Sequence, residues 1–193
     1  MNNTTNIKIF VSVIGLLILG SIAGFMIQSH TDAQPGKYDT FAQALKDKGA
    51  TFYGAFWCPH CKAEKALFGT SVKLLPYVEC SAQNGVDQLQ VCIDKKVETY
   101  PTWTFPDPIK FSNSAKPVTC TPEPETPGED AICERVRSKY GATVWMFPEF
   151  EVSSTAQPVH TGNDWTFDQK VSQLRGEIPL ATLAQQIGFT LPQ

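Results

Sequence analysis

Two cysteines separated by two residues, Cys58-Pro59-His60-Cys61, follow the apolar run Phe52-Tyr-Gly-Ala-Phe-Trp57 and precede the helix-prone Lys62-Ala-Glu-Lys-Ala-Leu-Phe68. That order places Cys58 where a strand turns into a helix, the setting in which a Cys-x-x-Cys pair does redox chemistry. At a helix N-terminus the first backbone N–H groups lack intrahelical partners and the macrodipole is positive, so a thiolate is favoured over a thiol. Pro59 suits the first helical position, because its missing N–H would have been without a partner anyway. His60 adds a titratable neighbour to the pair. The rival reading is half of a zinc site, but structural zinc takes four ligands and no second Cys-x-x-Cys follows. Cys80 and Cys92 are too far apart for a zinc knuckle, and His30 and His160 are distant in sequence, so no metal ligand set is assigned.

Trp57-Cys-Pro-His-Cys61 after an apolar strand resembles the thioredoxin superfamily, and Cys-Pro-His-Cys resembles the dithiol of its strongly oxidising periplasmic members. A longer set narrows the resemblance. Tyr53 to Cys61, Leu67-Phe68, Pro76-Tyr-Val-Glu-Cys80, Cys92 and Thr99-Tyr-Pro-Thr-Trp103 are similar to the thioredoxin-like domain fused to bacterial vitamin K epoxide reductase homologues. The match covers Lys37 to Pro106 and resumes near Leu174. It implies an α/β thioredoxin-like fold, with Cys58 and Cys61 catalytic and Pro101 a cis-proline facing them. It also implies that Tyr100 pairs through its backbone with an extended substrate, and that Trp57 and Pro59 line the substrate surface. Taken alone, Trp57 is either a core aromatic or such a surface. The position six before the first cysteine, a buried acid in many thioredoxins, is Phe52 here, which leans the reading toward oxidation.

The elements that must position these residues follow from pattern. Phe41, Ala42, Ala44 and Leu45 give a short helix an apolar face that ends at Gly49, and Thr51–Phe56 reads as the strand delivering Cys58. Lys62, Glu64 and Lys65 either tune the cysteines or form a solvated helix face, the commoner case. Leu74–Glu79 reads as a strand, Asn84-Gly85 as a turn, and Val86, Leu89, Ile93 and Val97 as a helical stripe. Cys80 and Cys92 bracket that turn, either as a structural clamp or as a second redox pair. Thr102–Phe105 is strand-like. Between 107 and 168 the chain leaves the family pattern: Lys116–Asp130 has loop composition, a helical stripe of Ile132, Val136 and Tyr140 ends at Gly141, and Thr143–Phe147 is a strand. Parity and composition pair Cys120 with Cys133 inside this segment. Gln173–Gly176 reads as the last sheet strand and Leu180, Leu183, Ala184 and Ile187 as a closing amphipathic helix stopped by Gly188.

The 193 residues, 42% hydrophobic, suit one anchor plus one globular domain, and a net charge of -3 gives no sign of nucleic acid as a partner. Ile9–Ile27 is a charge-free apolar run of a length to cross a bilayer, longer than the core of a cleaved signal peptide. Residues 1–30 therefore read as an N-terminal transmembrane helix, and 31–193 as the thioredoxin-like domain with an insertion at about 107–168 between the last two strands, a connection usually of a few residues. Six cysteines beside a membrane-targeting segment place that domain outside the cytoplasm: periplasm, cell surface or thylakoid lumen. The expected activity is a cofactor-independent oxidation of cysteine-containing secreted proteins, with a vitamin K epoxide reductase-like membrane protein as the expected recharging partner. The rivals are a reductase or isomerase, for instance in cytochrome maturation, and a membrane-tethered module binding a soft metal through the two thiolates.

Overall fold

The computed structural model describes Ile14 and residues 35–122, 131–168 and 172–193. The expected anchor, Ile14 apart, and the proline-rich stretch 123–130 lie outside these. Among the described residues no helix is long and apolar enough to cross a membrane.

Helix α1 (Asp39–Asp47) has Asp39 in its first turn and Lys46 in its last, each complementing the helix dipole, and buries Phe41, Ala42 and Leu45. Gly49, at φ 73°, turns the chain into strand β1 (Thr51–Gly54). Along β1 the faces alternate: Phe52 stacks on Trp103 at 4.8 Å within the main core, whereas Tyr53 packs with Cys80, Cys92 and Val97. Helix α2 (Pro59–Leu67) and a 3-10 turn (Gly69–Leu74) then carry the chain over to β2 (Tyr77–Glu79), which pairs parallel to β1. A parallel neighbour requires such a crossover. The strand expected from Leu74 starts three residues later. Leu75, which precedes Pro76, is held extended at ψ 139°, and Pro76 has no N–H to donate, so the ladder begins at Tyr77 while the Pro76 carbonyl accepts from Phe52 N at 2.9 Å.

The stripe from Val86 to Val97 is only partly helical. Asn84 Oδ1 accepts from Val86 N and Asp87 N at 3.0 and 3.1 Å, a side-chain turn that competes with helix formation. Helix α3 is therefore confined to Gln90–Asp94. Cys80 and Cys92 are disulfide-bonded, with Cα atoms 5.6 Å apart, and fasten α3 to the end of β2. A loop of this size closed by a disulfide contributes about 3 kcal/mol.

Strand β3 (Thr102–Thr104) runs antiparallel to β1, and β10 (Gln173–Arg175) antiparallel to β3. Among its described residues the long segment between them holds six strands where the sequence predicts one, Thr143–Phe147, and Val118–Cys120 falls within the stretch of loop composition. Ile109, Phe111, Trp165 and Phe167 alternate inward on β4 (Ile109–Ser112) and β9 (Asp164–Phe167), which form a three-stranded sheet with β8 (Val159–Thr161). Strands β5 (Val118–Cys120), β6 (Thr143–Met146) and β7 (Glu151–Ser154) add to β10, giving one seven-stranded sheet in the order β2-β1-β3-β10-β7-β6-β5. The described part of helix α4 spans Ala131–Val136 and is tied to β5 by the Cys120–Cys133 disulfide, Cα–Cα 5.2 Å. It ends before Tyr140, which sits in a turn where its N–H donates to Ser138 Oγ. An aromatic group of Phe111, Phe147, Phe150, Trp165 and Phe167 joins the same continuous core as Phe52 and Trp103. Helix α5 (Leu180–Ile187) stops at Gly188, left-handed at φ 65°, and its Gln185 and Gln186 side chains accept from Ser112 N and Lys110 N. Those two bonds cover N–H groups that β4 does not spend on β9, which blunts an exposed sheet edge.

Candidate active site

The turn out of β1 is closed by Cys58 N donating to Ala55 O at 3.1 Å, which lifts Cys58 onto the N-cap of α2. Its backbone is extended (φ -68°, ψ 120°), Pro59 occupies the first turn, and the Cys58 sulfur accepts from Cys61 N at 3.2 Å. The sulfur thus takes the place that a serine or aspartate oxygen holds at an ordinary helix cap. Both cysteines are free thiols, 3% and 1% exposed.

Facing them is the segment before β3. The Tyr100–Pro101 peptide is cis, and the Tyr100 carbonyl lies 3.6 Å from Cys58 Sγ as acceptor of the thiol hydrogen. The Pro101 carbonyl accepts from Gly176 N at 3.0 Å, so the end of β10 backs this segment. Trp57 lies edge-on to Tyr100, ring centroids 6.1 Å apart, and donates through Nε1 to Ser81 Oγ at 2.8 Å. It is 47% exposed, and with Phe56 beside it leaves an apolar surface next to the dithiol. Gln88 Nε2 donates to Tyr100 OH and to the Val97 carbonyl, both at 2.8 Å, fixing the far wall.

His60 projects into solvent and meets Glu177, Nδ1 to Oε1 2.6 Å. Glu177 was not among the residues singled out from sequence; it is 117 positions away from His60, and no local pattern links them.

The cluster Lys62, Glu64 and Lys65 divides. Lys62 is exposed and Lys65 half-buried, but Glu64 is 0% exposed, which corrects the expectation of a solvated face. Its Oε1 accepts from Trp103 Nε1 at 2.9 Å and its Oε2 from Ile178 N at 2.8 Å. One carboxyl thereby ties α2 to β3 and to the strap after β10, and burial pushes it up to about 7 against the opposing effect of those two bonds. The signal was present in the spacing: Cys61 and Glu64 stand at i and i+3 on the buried face of α2, and Phe68, its C-cap, continues the stripe at i+7.

Burial likewise pushes the Cys61 thiol up to about 12, with the adjacent Cys58 sulfur adding to the rise. The two sulfurs therefore differ in setting. Cys58 stands at the helix end beside a carbonyl and an apolar rim, while Cys61 lies beneath it, costly to ionise. Such an asymmetric pair can form a mixed disulfide at the outer sulfur and resolve it with the inner one. Of the other cysteines, Cys80 and Cys92 pack in a separate cluster with Tyr53 and Val97, and Cys120 and Cys133 with Val144. Neither pair is brought to the dithiol.

A mixed α/β chain with a buried Cys-x-x-Cys capping a helix opposite a cis-proline is built for thiol–disulfide chemistry. Over 72 residues, 35% of the chain, it is 42% identical to a protein of Arabidopsis thaliana named thiol-disulfide oxidoreductase LTO1. The match spans 19% of that relative's length, about a fifth of it. No family model matches the chain.

Proposed function

We propose that this chain is an extracytoplasmic thiol–disulfide oxidoreductase with a thioredoxin-like core, held at a membrane by Ile9–Ile27, that oxidises the cysteines of secreted proteins. The strand order β2-β1-β3-β10, with β1 and β2 parallel and the remaining pairs antiparallel, supports the thioredoxin-like reading. The observation that carries the activity is the Cys58 sulfur, capping α2 through Cys61 N and facing the Tyr100 carbonyl beside cis-Pro101. A substrate cysteine bonded to Cys58 lies along that backbone, where an extended peptide can pair as an added strand. The apolar rim of Phe56 and Trp57 gives its flanking side chains a surface to cover.

The direction, the anchor and the recharging partner rest on sequence. A thiolate stabilised at a helix N-terminus stabilises the reduced protein and makes its disulfide the stronger oxidant. Tethering raises the effective concentration of the dithiol near a membrane enzyme, which we take to be vitamin K epoxide reductase-like. Cys80–Cys92 is read as a clamp, because both sulfurs are fully buried and exchange requires a thiolate to reach one of them.

One observation favours the reductase reading. The Glu177 carboxylate beside His60 places a negative charge where an unaccompanied imidazolium would have favoured a thiolate at Cys58. A direct test separates the two. Full-length protein in the disulfide form, mixed with a reduced, unfolded secretory protein, is expected to introduce disulfides while becoming reduced. The Cys58→Ser variant is expected to introduce none. If the wild-type chain instead stays oxidised beside that substrate and accelerates insulin reduction, the oxidase reading fails.

A further inference from the structure

Cys61 is the harder of the two sulfurs to use. In oxidation of a substrate it must leave Cys58 with an electron pair, and in resolution of a mixed disulfide it must attack as a thiolate, from beneath the surface in both cases. The structure places a cation beside it. Lys65 stands one helical turn after Cys61, an i, i+4 pair on the same face of α2. Its Nζ sits 3.2 Å from the centroid of the Tyr77 ring. That ring borders the Cys61 sulfur across Gly54: a Cβ at Gly54 would come within 2.8 Å of Cys61 Sγ and 3.0 Å of Tyr77 Cε2. Only a residue without a side chain lets sulfur and ring close over β1.

Glu79 completes the arrangement. Its Oε1 accepts from Ser81 N at 2.9 Å and Phe56 N at 3.2 Å, and its Oε2 accepts from Tyr77 OH at 2.8 Å. Three donors, one from the turn after β1, one from β2 and one just beyond β2, thus fix the carboxylate beside the ring that carries the ammonium. The charged and titratable groups acting on Lys65 are Cys58 and Cys61 from its own helix and Glu79 from β2, with the Tyr77 hydroxyl adjoining. Burial lowers Lys65 from its usual value, while Cys61, Glu79 and Cys58 each pull it back up, so the ammonium gains most when a thiolate is present.

We propose that Lys65, seated on Tyr77 and oriented by Glu79, is the positioning residue that stabilises the Cys61 thiolate during exchange. This rests on the oxidoreductase reading and deepens it. In the oxidising step a substrate thiolate bonds to Cys58 Sγ, the Cys58–Cys61 bond breaks, and its electron pair stays on Cys61 opposite the Lys65 ammonium. Cys61 then takes a proton from solvent. A second substrate thiolate attacks the substrate sulfur of the mixed disulfide and expels Cys58 as a thiolate. The substrate has lost two electrons to form its disulfide, and the dithiol has gained them.

The experiment uses the full chain and its Lys65→Met and Lys65→Arg variants, each reduced and then mixed with oxidised glutathione. The rate at which Cys61 displaces glutathione from Cys58 is followed from about pH 6 to about pH 9, a range in which thiolate fraction rises tenfold per unit for a high thiol pKa. Alkylation of Cys58 in a Cys61→Ala background serves as the control for general damage. Lys65→Met is expected to slow the Cys61 step about tenfold, the factor for one unit of thiol pKa, and Lys65→Arg to restore most of it. Alkylation of Cys58 is expected to change by less than the Cys61 step. A Met variant that resolves at the wild-type rate throughout, or Met and Arg variants equally slow, overturns the role of the charge. A wild-type chain that forms no mixed disulfide at Cys58 overturns the oxidoreductase reading itself, and this proposal with it.

Discussion

Replacing Cys61 by alanine is expected to abolish turnover while leaving Cys58 able to react, so that covalent mixed disulfides accumulate at Cys58. The physical reason is the division between the two sulfurs. Cys58 caps the helix beside the Tyr100 carbonyl and the apolar rim, and Cys61 sits one turn down at 1% exposure, with its N–H on the Cys58 sulfur. Resolution by Cys61 is intramolecular, and positioned intramolecular attack gains effective concentrations far above those of free thiols. Loss of that attack is expected to lengthen the life of a mixed disulfide by at least about 100-fold. In cells of the native host the trapped partners are expected to be secreted cysteine-containing proteins and a multi-spanning membrane protein. Non-reducing electrophoresis with mass identification of the partners checks this, and partners confined to soluble reductases would contradict it. In the wild-type chain the resolving rate is expected to rise with pH up to about 12, following ionisation of the Cys61 thiol that burial holds back.

The second large effect concerns Glu64. Burial between α2, Trp103 and the strap at Ile178 pushes its carboxyl up from an ordinary 4.5 to about 7, against the lowering effect of its two hydrogen bonds. Because the folded-state value lies above the unfolded one, the folded chain holds this proton more tightly than the unfolded chain. The contribution is complete below about pH 4.5 and is lost as pH rises through about 7, a loss of about 3 kcal/mol at roughly 1.4 kcal/mol per unit. Denaturant unfolding of the wild type is therefore expected to show falling stability across that window, on top of whatever the other groups contribute. Glu64→Leu removes the titrating group while leaving the Trp103 and Ile178 N–H groups without their acceptor, so it is expected to be less stable at acid pH. Its profile is expected to be flatter by the Glu64 contribution. Parallel profiles for the two proteins would show that Glu64 does not bind its proton more tightly on folding.

The dithiol was legible in the sequence because its geometry is local. A strand-like run, a capping cysteine, Pro59 in the first turn and a second cysteine three positions on are all set by neighbouring residues. Helix α5 was legible for the same reason, its apolar stripe and Gly188 stop being contained in nine residues, 180–188. What failed was whatever depended on distant chain. Glu64 reads as one more surface charge until Trp103 and Ile178, 39 and 114 positions away, close over it. Val86 continues a helical stripe on paper, yet Asn84 satisfies its N–H locally and leaves it 85% exposed at the tip of a turn. In the long segment after β3 the pattern reads as strand only at Thr143–Phe147 and as loop at Lys116–Asp130, although Ile109 and Phe111 already alternate as strand residues do. Only pairing with Trp165 and Phe167, more than fifty residues on, turns that alternation into a sheet.

The central claim, a dithiol poised to give its disulfide away, is tested most directly by the reduction potential of the Cys58–Cys61 couple in the full chain, equilibrated against glutathione. An oxidase requires a value above about -180 mV, toward the roughly -120 mV of strongly oxidising dithiols. A value near the roughly -270 mV of thioredoxin would contradict it and assign the chain to reduction instead.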